Sequence, residues 1–266
     1  MSARRQRQMC IRDSIITDVN IDTGMGTIML GDGVDSAVDA NDGNPACFSL
    51  VLCGSASVNG STSAAGATWY NDGDSASGQS IGYMSPAING FNFTVTRGME
   101  VAPVGNVNAD TEGHTPGDGT YTLGTAAVEG HDPVMSYAVS GSVMGVSVAA
   151  GVSSIDYKGS TADIDPSFVK ASYSIAGLSL GYANYDGDGS TSETALGVGT
   201  TLMDMPVGIT FSETEVTGGN DIDMMRVSAS KSFGPMSIGV DYTETDVAGG
   251  TGSDTDVWSM HYVVGF

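Results

Sequence analysis

Residues 258–266 alternate without a break. Trp258, Met260, Tyr262, Val264 and Phe266 are large and apolar, and between them stand Ser259, His261, Val263 and Gly265, mostly small or polar. A period of two sends successive side chains to opposite faces, which predicts a strand and not a helix. The same alternation recurs from Gly26 onward. It predicts strands at 26–30, 79–85, 90–97, 132–140, 144–153, 166–174, 178–185, 193–201, 207–215, 224–232, 236–244 and 256–266, with a stub at 15–21. One face of these strands is bulky and apolar, as in Phe91/Phe93/Val95, Leu178/Leu180/Tyr182, Val207/Ile209/Phe211 and Ile238/Val240/Tyr242. The other face is small or weakly polar, as in Asn92/Thr94/Thr96, Ser179/Gly181/Ala183, Gly208/Thr210/Ser212 and Ser237/Gly239/Asp241.

The polar face decides between architectures. A sandwich facing bulk water would carry more Lys, Glu and Arg there, whereas Gly, Ser and Thr suit a water-filled lumen. The connections alternate as well. Turns of a few residues at 85–89, 175–177, 203–206 and 233–235, with a join at Gly141, alternate with longer loops rich in Asp, Gly and Thr. Short turns on one rim and long loops on the other are the asymmetry of a membrane-spanning β-barrel. No run approaches the roughly 20 apolar residues of a membrane helix, so a membrane role requires a closed barrel in which strands satisfy one another's backbones. The expected fold is therefore all-β, a transmembrane antiparallel barrel.

Composition sharpens this reading. Glycine, at 38 of 266 residues, is about twice its usual share. The net charge is −22. Four of the nine bases (Arg4, Arg5, Arg7 and Arg12) fall in the first fourteen positions beside one acid, Asp13, so from residue 15 on five bases face thirty acids. That sign excludes a nucleic-acid partner and favours cations.

Residues 1–14 differ from the rest of the chain. Met9 to Ser14 resembles a translated transposon-end adaptor of the kind used in sequencing libraries, so this segment is expected to be non-native and the domain to run from 15 to 266. A secretory signal would show an apolar stretch behind the basic start, and none is present. An exported protein would then have lost its true beginning. Cys10 falls with the artefact, leaving Cys47 and Cys53 in a Gly/Ser-rich stretch as a candidate local disulfide.

Three motifs carry a family resemblance. The closing strand Trp258–Phe266 resembles the last strand of bacterial outer-membrane barrels, where a terminal Phe closes the barrel and is read by the insertion machinery. Gly26 to Leu30, followed by Gly31, Asp32, Gly33 and Ala37, resembles the strand before the lumen-folded loop of general porins of alphaproteobacterial type. Ser80 to Pro86, followed by Asn89, Gly90 and Phe91, resembles the hairpin after that loop. The resemblance implies a sixteen-stranded outer-membrane porin with residues 32–78 folded into the lumen as a constriction. That loop follows the fifth strand in the family, so the chain is expected to hold about twelve of sixteen strands. Implied with it are a homotrimer, surrounding outer-membrane lipid, the barrel-assembly machinery, and passive diffusion of small hydrophilic solutes and ions without catalysis or cofactor.

Selectivity in such a pore comes from its radius and from the charges at its narrowest point. The resemblance makes Asp32, Asp35, Asp39, Asp42, Asp72 and Asp74 candidate constriction residues, and solvating a loop is the alternative for each. Strand parity points Lys170 and Arg226 inward, flanked outside by Val169/Ala171 and Met225/Val227, and His261 shares the lumen parity. Lys231 has outward parity near a short turn, which reads as snorkelling at the interface. The runs from Tyr185 to Gly189, holding Asp186 and Asp188, and from Asp221 to Asp223 offer hard oxygen ligands of the type Ca²⁺ takes. They lack the spacing of an EF-hand, and solvated turn chemistry is the competing reading.

His114, His131 and His261 are far apart in sequence, and neither GxSxG nor HExxH occurs. The rival architectures are an autotransporter translocator domain and a soluble calcium-binding secreted β-protein. The first needs a pore-threading helix ahead of its first strand, and 15–25 shows no helical period. The second is opposed by the Gly/Ser face and the terminal Phe.

Overall fold

Alternation along each segment becomes register between segments. The computed structural model describes residues 18–31, 37–38, 44–48, 57–58, 61–62, 80–98, 104–109, 124–128, 132–158, 162–188, 191–248 and 254–264. Seventeen strands occur among them. They are β1 (Asp18–Asp22), β2 (Thr27–Gly31), β3 (Ser57–Val58), β4 (Ser61–Thr62), β5 (Ser80–Met84), β6 (Phe91–Gly98), β7 (Val104–Ala109), β8 (Gly124–Val128) and β9 (Met135–Val143). There follow β10 (Val146–Ser154), β11 (Ser167–Ile175), β12 (Leu178–Asp186), β13 (Thr191–Leu202), β14 (Met205–Val216), β15 (Ile222–Phe233), β16 (Met236–Val247) and β17 (Thr255–Val264).

Thirteen strands form one antiparallel sheet in the order β1-β2-β5-β6-β9-β10-β11-β12-β13-β14-β15-β16-β17. The order follows the sequence except where the ribbons β3–β4 and β7–β8 lie inside the two longest connections. All twelve strands expected from Gly26 onward are present, and the expected stub appears as β1. Those two ribbons, in stretches read as loop, are additional. Among the described residues β1 and β17 are the sheet's edges and do not pair with each other. No helix there is long and apolar enough to cross a membrane.

Register puts like side chains in rows across strands. Tyr182, Leu196, Phe211 and Met225 stand side by side on one face of β12–β15. Leu196 and Phe211 are 54% and 52% exposed, bare of protein cover as a lipid-facing wall should be. On the other face Ala183, Ala195, Ser212 and Met224 form the matching row, and all four are buried. This reverses a soluble protein's habit of burying its large apolar groups. Along these two rows the large side chains are bare and, Met224 apart, the covered ones are small.

Tight turns join alternate strands. At Asn89–Gly90, Met144–Gly145 and Ala176–Gly177 both residues have positive φ, the conformation whose twist matches a two-residue hairpin. Strand β9 runs through Gly141, and the reversal falls at Met144–Gly145, three residues beyond the expected join.

Candidate functional site

The covered face is covered by the chain's own first long connection. Two pieces of the 32–78 segment lie against it. The Ala37 amide donates to Thr96 Oγ1 on β6 at 2.8 Å, and Val38 packs among Ala149, Phe168, Ala183 and Tyr185 of β10–β12. Farther along, Pro45 to Phe48 reaches β12–β15. The segment therefore touches the inner face from β6 to β15.

Its second seat is built from a row of residues that the register aligns: Gly181, Gly197, Thr210, Arg226 and Thr243 on β12 to β16. A Cβ on Gly181 would stand 2.6 Å from the Ala46 amide nitrogen, and one on Gly197 would stand 2.6 Å from the Ala46 carbonyl carbon. Only hydrogen fits at either position. The next row holds Gly199 and Gly208, which face each other across β13 and β14, with the Phe48 ring over both. Thr210 donates its hydroxyl to the Ala46 carbonyl at 2.8 Å. The four glycines form a slot and Thr210 its latch.

Arg226 ends the slot. The residue is 1% exposed. Nε donates to Thr243 Oγ1 at 3.2 Å, Nη2 to Met224 Sδ at 3.5 Å and Nη1 to Cys47 Sγ at 3.8 Å. The expected inward orientation is present, but the guanidinium lies under the docked segment. Beyond it, Ser228 donates to Asp241 Oδ1 at 2.6 Å, and His261 Nε2 lies 3.1 Å from Asp241 Oδ2. His261 thus faces inward, as its parity indicates, and is buried against a carboxylate. Glu193, buried on the same face, stands opposite Tyr185 and Thr214 in register.

Lys170 faces inward with Nζ 5.8 Å from the centroid of the Phe168 ring, a cation–π distance. Lys231 Nζ donates to the Met203 carbonyl at 3.4 Å, beside the β13–β14 turn. Trp258, Met260, Tyr262 and Val264 are all exposed on β17. Cys47 is disulfide-bonded. The Asp186 and Asp188 carboxylates accept from backbone amides: Asp188 N to Asp186 Oδ1 at 3.0 Å, and Asp165 N to Asp188 Oδ2 at 2.8 Å. Among the described residues no group of three or more His, Cys, Asp or Glu is set to hold a metal. Asp32, Asp35, Asp39, Asp42, Asp72, Asp74, Cys53, Phe266 and the segment 1–14 lie outside the described residues.

Alternation puts Gly181, Gly208 and Thr210 on the small inner face and names Tyr185 only as the start of an acidic run, and it gives neither these residues nor Gly197, Gly199 and Phe168 a part in seating a loop. The available signal was the run of glycines at inward parity on three neighbouring strands, which reads equally as lumen lining.

A wall bare outside and lined with small polar groups inside, with a loop docked across its interior, is the arrangement of a channel. Solved structures share this fold. A porin refined at 1.8 Å is 14% identical, with a TM-score of 0.56 over 92% of this chain and 79% of that one. OmpT, an outer membrane protein of Vibrio cholerae, is 16% identical, with a TM-score of 0.50 over 93% of this chain and 75% of that one. No curated protein matches the chain in sequence. The family model described as Gram-negative porin matches residues 11–176 and 165–263. With that match over nearly its whole length, the chain belongs to the Gram-negative porins, diffusion channels of the outer membrane.

Proposed function

We propose that this porin passes cations in preference to anions, through an opening narrowed by the 32–78 segment. The observation that carries the reading is the seating of Ala37–Val38 and of Pro45–Phe48 on the inner wall. In sequence, Asp35, Asp39 and Asp42 each lie within two residues of a described piece of that segment. The burial of Arg226 supports the same sign, since a guanidinium held by Thr243, Met224 and Cys47 under the loop is withdrawn from direct contact with permeating anions. The whole chain's charge of −22 adds to it. The reading involves no catalytic step.

The test is the reversal potential across a planar bilayer holding a KCl gradient. A sign showing excess potassium permeability, weakened in a D39N/D42N variant, is expected, and equal permeability of potassium and chloride would sink the proposal.

Closure and assembly belong to the same reading. An open sheet edge in hydrocarbon leaves a row of backbone groups unpaired, which supports further strands joining β1 to β17 in a sixteen-stranded barrel. The family resemblance supports a homotrimer. Three protomers per particle by native mass spectrometry is the expected result for the protein extracted from outer membranes, and a stable monomer contradicts it.

A further inference from the structure

Six short connections join alternate strand pairs of the sheet, so all six lie on one rim. They are 23–26, 85–90, 144–145, 176–177, 203–204 and 234–235. Each carries or adjoins an exposed large apolar side chain: Met25, Ile88, Met144, Ile175, Met203 and Phe233 in turn. Met144 and Met203 are 94% and 87% exposed. Asp204 is the one ionisable residue within the six connections. The opposite rim differs sharply, with Asp156, Lys158, Asp163, Asp165, Asp188, Asp221 and Asp254 in its connections.

Turn tips facing water are ordinarily Gly, Asn, Asp or Ser, and exposed apolar groups in a series mark a contact surface. Backbone conformation adds to the case. Met144 and Met203 have φ of 52° and 51°, a region that costs residues other than glycine energy and that Asn or Asp would tolerate better. Placing an apolar side chain there, with almost no protein around it, gains nothing inside this chain.

We propose that this rim is seated in the interfacial layer of the inner phospholipid leaflet. Met25, Ile88, Met144 and Met203 dip into the boundary between headgroups and acyl chains as a ring of anchors. Two observations favour lipid over a protein partner. Large apolar tips stand within four of the six short connections, at Met25, Ile88, Met144 and Met203, spread from β1 to β14, whereas a docked protein would mark one sector of the rim. A lipid leaflet meets every sector of the barrel that a neighbouring protomer leaves uncovered. Lys231 supplies the second, since its outward-facing ammonium reaches the Met203 carbonyl at 3.4 Å. That places a cation at the depth of the tips, where anionic phosphates complement it. Methionine, unbranched and adaptable, suits so irregular a phase. The inference rests on the porin reading for the choice of leaflet, since short turns of such barrels face the periplasm.

The test uses the full chain folded into phospholipid vesicles, with M144W and M203W made separately so that failure of one variant to fold leaves the other readable. Tryptophan emission above the wild-type background is followed with lipid brominated near the headgroup and with aqueous iodide. The expected result is blue-shifted added emission, quenched by the brominated lipid and nearly untouched by iodide. Emission quenched by iodide and insensitive to brominated lipid would put the tips in water and overturn the proposal. The readout does not depend on conduction, so a channel with the wrong selectivity would leave it standing.

Discussion

Filling the slot should move the loop, and Gly197→Ala is the sharpest way to do it. The added Cβ would stand 2.6 Å from the carbonyl carbon and 2.9 Å from Cα of Ala46, and closer still to the carbonyl oxygen, where 3.4 Å begins ordinary contact. The Ala46 backbone must therefore retreat toward the lumen by more than about 1 Å, the carbonyl oxygen setting the limit, since the wall behind Gly197 is a hydrogen-bonded sheet that yields less. That retreat stretches the 2.8 Å bond from Thr210 to the Ala46 carbonyl. Losing such a bond costs about 1 kcal/mol, and overpacking adds about 1–3 kcal/mol. A total of about 2 kcal/mol or more shifts the ratio of docked to undocked loop by roughly 30-fold, at 1.4 kcal/mol per factor of ten. Single-channel recording in planar bilayers reads the outcome directly. Mean conductance should fall as the loop intrudes on the pore, and open-channel noise should rise as it leaves its seat. A G197A channel with wild-type conductance and wild-type noise would refute the slot.

Other perturbations separate latch, anchor and wall. Thr210→Val removes the latch hydroxyl and adds no bulk, so noise should rise with a penalty of about 1 kcal/mol, and quiet channels would show that the glycine fit alone holds the loop. Asp241→Ala strips the Ser228 hydroxyl and the His261 imidazole of a buried partner. It should lower barrel stability in urea titration by about 2–3 kcal/mol, and an unchanged midpoint would contradict this. Leu196→Arg sets a charge in the row Tyr182–Leu196–Phe211 on the bare face. At mid-bilayer depth it should cost about 2–4 kcal/mol of folding into lipid vesicles, and a cost near zero would mean the face is not in hydrocarbon.

The wall was legible in the sequence because a period of two survives without any knowledge of partners. Leu178/Leu180/Tyr182 and Val207/Ile209/Phe211 announce a strand and its outer face by themselves, and parity alone turned Lys170, Arg226 and His261 inward. Local turn chemistry was less reliable. Methionine is not a turn residue, so the Met144–Gly145 reversal was missed and the join was read at Gly141, an interior residue of β9. The ribbons β3–β4 and β7–β8 are short and poor in alternating apolar residues, so they read as loop.

The docking site was illegible for a different reason. Thr210 and Ala46 are 164 residues apart, and nothing near Gly197 or Gly208 in sequence says what approaches them. A glycine required by a distant backbone and a glycine merely lining water look the same in one dimension. The same distance hid the burial of Arg226, whose contact with Cys47 spans 179 residues.

A water-filled passage whose bore is set by the docked loop should conduct according to how that loop is seated. The most direct measurement is current through the purified protein in a planar bilayer under symmetric KCl. Discrete, ohmic conductance steps of one size, altered by G197A and T210V, are predicted. Absence of conductance from protein shown to be folded and inserted, or steps indifferent to both substitutions, would rule out a loop-gauged passage.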